Sequence, residues 1–155
     1  VIWGILGITI KIAFDVFGGG TIAFLSKAGF ADAVELFKSP DFSLEKLGVA
    51  FCISFFLNLV YAPFMMTTHK ITDMHIDKNQ GKIKALFTPI KFGENMAKLN
   101  WNVQWNFVFK KTIPFFWIPM HTITFILPEH FRVLFAAVLG IALGIILAIA
   151  SLKSK

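Results

Sequence analysis

The sequence predicts an all-α integral membrane protein, one domain over residues 1–155 built as a bundle of four transmembrane helices. Three observations lead there. Hydrophobic residues make up 56% of the chain and charged residues only 15%, with a mean hydropathy of +0.71, whereas a soluble domain carries about a quarter charged residues. Apolar runs recur at lengths near the roughly 20 residues that a helix needs to cross hydrocarbon. The charges fall between those runs, so the net charge of +6 reads as topology signal and headgroup contact, not as a nucleic-acid surface.

Residues 1–26 form the first expected span. The run lacks a basic leading segment, so it reads as a span and not as a cleavable leader. Lys11 and Asp15 interrupt it near membrane depth. A lone charge there costs about 2.5–3.5 kcal/mol on insertion scales, so each needs protein, water or a partner. Being four apart, the two can pair with each other. Together with Gly7 and Gly19 they make a stripe of spacing four, readable as an ion pair buried in the bundle or as a polar lining to a water-filled path. Gly18 to Gly20 should weaken or kink the helix.

Lys27 to Lys46 is a polar connection with a turn at Ser39-Pro40-Asp41, and Ser43 is placed to cap the next helix. The second span, 47–68, has no charge in its 22 residues. Pro63 should kink it near its end, and Asn58 is its strong hydrogen-bonding side chain. The lone cysteine, Cys52, rules out a disulfide within the chain.

From His69 to about Asn100 a polar loop carries six lysines. His69 with Asp73, and His75 with Asp77, give too thin a ligand set to predict a metal, and no cofactor is expected. Ala85 to Phe92 is apolar but too short to span, and Trp101 and Trp105 suit an interfacial aromatic belt. The third span, 112–127, follows Lys110 and Lys111, whose stems can snorkel to the interface. Pro114 and Pro119 break it, and His121, Thr122 and Thr124 bring polar groups to mid-depth. His121 is expected to face water or a polar cleft, with Asp15 as the carboxylate at comparable depth.

The fourth span, 133–152, holds 20 uncharged residues and joins the third as a hairpin through 128–132. Its small residues Ala136, Gly140, Gly144 and Ala148 share one ridge, where missing side chains let another backbone approach closely. The lysine count then orients the chain. The long loop and C-terminus carry eight lysines, against Lys27, Lys38, Lys46 and Arg132 on the other side, so both termini should face the cytoplasm or its equivalent.

The run Trp117 to Ala136 resembles the signature of the Mpv-seventeen and twenty-two-kilodalton peroxisomal membrane protein family. Its pattern is roughly W-x-P-x-Q-x-x-N, an aromatic stretch, V-P, and then R-V-L-F. Trp117, Pro119, Pro128 and Arg132-Val133-Leu134-Phe135 match in order. His121 stands in place of Gln and Thr124 in place of Asn, with one residue fewer between Trp117 and Pro128. Ala62-Pro63 and Asp73 resemble a second motif, G-P-x-x-H-x-W-Y-x-x-L-D, with Met66 in place of His and Thr68-His69 in place of Trp-Tyr. The resemblance implies a divergent four-span protein of peroxisomal or inner mitochondrial membranes, or of the plasma membrane if bacterial. It also implies kinship with weakly selective, water-filled channels.

The expected function is therefore a membrane pore or permeability pathway for small hydrophilic solutes, formed by a homo-oligomer in the lipid bilayer. Lys11, Asp15, Asn58, His121 and Thr124 are the candidate lining. The alternative is a non-conducting scaffold or stress-response component, in which the same groups bond helices together. Catalysis is not expected: Cys52 has apolar neighbours, no nucleophile stands with a base, and Gly18 to Gly20 lacks the context and lysine of a phosphate loop.

Overall fold

The computed structural model describes residues 2–128, 130–132, 134, 135 and 138–142. Among them every regular element is helical. α1 is Ile2–Lys27, α2 Ala33–Lys38 and α3 Leu44–Lys78. A 3-10 turn at Ile83–Phe87 leads to α4, Phe92–Ala97, and the short α5, Trp101–Val103. A π-helical stretch at Gln104–Trp117 and then α6, Ile118–Ile126, follow directly. Two helices are long and apolar enough to cross a membrane, Gly7–Lys27 within α1 and Leu44–Lys78. The expected fourth span lies mostly outside the described residues, and with it Ala136, Gly144 and Ala148.

The chain divides into two compact units, Val1–Phe56 with Ile118–Lys155, and Leu57–Trp117. In the first unit α1 runs unbroken through Gly18 to Gly20, where the sequence led us to expect a kink. In an apolar run the backbone polar groups are best bonded within the helix, which opposes a break at three flexible residues. Ile5, Ile8, Ile12 and Val16, at helical spacing, are each more than half exposed. Such a stripe suits hydrocarbon. Gly29, at φ +105°, ends the helix. Phe30 N–H reaches Leu25 O at 3.0 Å and Gly29 N–H reaches Ser26 O at 3.3 Å, a Schellman closure that satisfies the last carbonyls.

Ser43 caps α3 as expected, its Oγ accepting from Lys46 N–H at 3.0 Å. The helix passes through Pro63 and continues ten residues beyond the expected end at Thr68. His69 Nδ1 lies 3.1 Å from Asp73 Oδ2, one turn apart, and Thr72 Oγ1 donates to His69 O at 2.7 Å. These local bonds carry the helix into the polar segment, where the spacing of His69 and Asp73 allows a helical extension. Thirty-five residues make a rod of about 50 Å, well beyond the ~30 Å of a hydrocarbon core. Ala50, Ile53, Ser54, Leu57, Asn58 and Ala62 form its buried stripe, while Phe51, Phe55, Leu59 and Phe64 are exposed.

Within the second unit the lower end of α3 is tied locally. His75 Nε2 lies 3.0 Å from Ala85 O, and Gln104 Nε2 donates to Thr67 Oγ1 at 3.3 Å. Pro114 sits inside the π-helical stretch. The sequence suggested a break there; the backbone instead changes its winding, one of the ways a helix absorbs an interruption to its hydrogen-bond ladder.

Candidate functional site

The first unit contains a cavity of about 500 Å³. One wall is a single face of α1, formed by Lys11, Phe14, Asp15, Gly18, Gly19 and Ile22. Their spacing of three, one, three, one and three follows the helical repeat, so one face presents them all. The stripe of Lys11, Asp15 and Gly19 legible in the sequence is thus part of a cavity wall. A Cβ at Gly18 or Gly19 would meet nothing within 4 Å, so the two glycines leave the cavity open at that height. The opposite wall comes from the end of α2 and its turn, the first turn of α3, and the segment after α6, which brings Leu127, Pro128 and Arg132.

The polar groups are unevenly distributed by sign. Among the described lining residues, Lys11, Lys38, Lys46 and Arg132 stand with one carboxylate, Asp15. Lys11 Nζ donates to Asp15 Oδ2 at 2.9 Å, and their side chains are 70% and 68% exposed. The pair therefore forms as its spacing suggests, but open and not buried in the bundle. Lys46 is 2% exposed, and its Nζ donates to Ser39 O at 2.6 Å. Arg132 Nε donates to Leu127 O at 2.9 Å and an NH2 hydrogen to Phe125 O at 3.3 Å. Its guanidinium carbon lies 4.3 Å from the Phe37 ring centroid. Arg132 thereby caps the carbonyl end of α6, where the helix dipole favours a cation, and stacks on the floor of the cavity.

The other candidate lining residues are placed elsewhere. Thr124 is fully buried, and its Oγ1 donates to Met120 O at 2.9 Å. Asn58, in the second unit, is also fully buried. His121 is half-buried with its ring edge-on to Phe14, centroids 5.3 Å apart, while Asp15 is bonded to Lys11. Phe14 also meets Phe125 at 5.0 Å, and both rings line the cavity. Ser54, which the sequence did not single out, links α3 to α6 by donating to Ile118 O at 2.7 Å. Gly140 is exposed, and a Cβ there would meet nothing within 4 Å.

Lys38, Lys46 and Arg132 were legible only as charges in the connections flanking apolar runs. The shared cavity brings them together. No group of three or more metal-ligating side chains occurs among the described residues.

The cavity and fold define an all-helical chain with two helices suited to a membrane and a basic recess beside the first. The chain matches no protein-family model, no curated protein sequence and no solved structure.

Proposed function

We propose that this chain is a four-span membrane protein whose oligomer provides a permeability pathway for small hydrophilic solutes. The observation that carries the reading is the exposed Lys11–Asp15 pair, near the middle of an apolar helix and on the wall of a cavity. Two open charges on a membrane helix are tolerated where they meet water, and a water-lined recess is what such a pathway requires. The resemblance around Trp117 to Phe135 points the same way and would place the protein in a peroxisomal, inner mitochondrial or bacterial plasma membrane.

A second reading, a non-conducting scaffold, is favoured by Asn58 and Thr124. Both are fully buried, as expected of groups that bond helices together and not of groups that face a lumen. Reconstitution of the purified protein in a planar bilayer separates the two. The pathway reading expects discrete conductance events, with Asp15→Asn shifting selectivity toward anions because it leaves Lys11 without its counter-charge. An absence of events in the wild type transfers the assignment to the scaffold.

A further inference from the structure

We propose that the basic cavity of the first unit is a binding site for an amphipathic phosphate, a phosphate group carried on a molecule with an apolar part. The geometry of Lys46 points to it. Its side chain is 2% exposed and its Nζ donates to one backbone carbonyl, Ser39 O, whereas an ammonium has three hydrogens to place. Among the described residues no carboxylate oxygen lies within 4.0 Å of Lys46 or Lys38. A buried cation that meets no carboxylate among the described residues is costly, and an anion in the adjoining cavity lowers that cost. Lys38 is exposed at the rim and Arg132 is held in place from the far side.

The remaining walls decide the class of anion. Phe14, Ile22, Phe37 and Phe125 give the cavity a broad apolar surface. A volume of about 500 Å³ exceeds what a bare inorganic ion fills and falls in the ~300–1,000 Å³ range of small-molecule sites. Several cations lining one cavity favour phosphate, whose multiple oxygens accept from more than one donor at once. The apolar walls then take the rest of the ligand. Lys38, Lys46 and Arg132 also lie on or beside the connections that flank apolar helices, the level at which lipid headgroups meet a membrane protein. A bilayer phospholipid and a water-soluble organic phosphate offer the same chemistry, and the experiment tells them apart.

The inference does not rest on conduction, since a site can be filled in a protein that passes nothing. The test is thermal unfolding of the full chain in nanodiscs. One arm compares phosphatidylcholine alone with phosphatidylcholine doped with phosphatidic acid; the other adds phenyl phosphate to the undoped discs. Binding well above the dissociation constant should raise the midpoint by about 5 °C or more for a chain of this length. Lys46→Met should abolish the rise, read as the difference between the liganded and unliganded midpoints of that same variant. Lys38→Ala, at an exposed position, should weaken the response, and Lys84→Ala, in the second unit, should leave it intact. A rise with phosphatidic acid alone assigns the site to a lipid, and a rise with phenyl phosphate assigns it to a soluble ligand. No rise with either overturns the proposal. So does a response that survives both Lys46→Met and Lys38→Ala, which marks general surface charge.

Discussion

Gly29 and Gln80 close their helices in the same way, both with left-handed backbone, at φ +105° and +56°. Gly29 adopts that conformation without strain. Replacing it with alanine should lower stability by about 1 kcal/mol, read from chemical unfolding in detergent. Gln80 bears the Cβ penalty, so Gln80→Gly should raise stability by roughly 1 kcal/mol in the same assay. Opposite signs at two matched positions make a sensitive check on both helix ends. Lys91 and Glu94 form an exposed pair at 2.8 Å, and the hydrogen bond from Lys91 holds the Glu94 carboxyl below the usual glutamate range. The pair's contribution is present above that range and is lost as pH falls through the depressed value. A carboxyl titration by NMR should find Glu94 low in the wild type and higher in Lys91→Ala, with Lys78 and Lys98 still acting on it.

At the scale of elements, α3 shows which features of a helix its own residues specify. Its start was legible because a cap is a contact over three residues, and Ser43 makes it. Ser43→Ala should cost about 1 kcal/mol. Its end was legible only in part: the spacing of His69 and Asp73 allowed a helical extension past the span, and their pairing and the Gly81 N–H bond to Ile76 O go with a helix that runs to Lys78. Hydropathy marks where a span should stop, whereas the helix stops where its hydrogen bonds are capped. Ser54 poses the converse case, a serine unremarkable in an apolar run whose hydroxyl joins α3 to α6. Ser54→Ala should lower stability by about 1 kcal/mol by removing the bond that joins α3 to α6, although Ile118 O keeps Thr122 Oγ1 as a donor, and Ser54→Thr should restore part of that.

For the whole molecule, the proposed topology puts the connection before α3 and the loop after it on opposite sides of the membrane. Asp41→Cys and Lys82→Cys, each made in a Cys52→Ala background, should therefore label with an impermeant reagent from opposite faces, Lys82→Cys from the cytoplasmic one. Labelling of both from one side means that α3 does not cross. The ridge of Gly140 can be examined by size. Since a side chain there meets open space within the chain, Gly140→Leu should leave the fold intact and reduce oligomer content in crosslinking. Ile141→Leu serves as the volume-matched control.

By itself the sequence determined the apolar runs and the periodicity. Few charges and long apolar runs define helices suited to lipid, and residues three and four apart share a face whatever surrounds them, so Lys11, Asp15 and Gly19 could be placed on one stripe in advance. Tertiary structure decided what each face meets. Lys46 and Arg132 read as membrane-flanking charges until the chain brought Ser39, Phe37 and the end of α6 to them. His121 read as a polar group at mid-depth, and the fold sets the Phe14 ring edge-on to it. Helical spacing is a local property, fixed by backbone geometry over a few residues. A cavity depends on contacts between segments far apart in the chain, and no spacing along the sequence encodes which of them will be opposed.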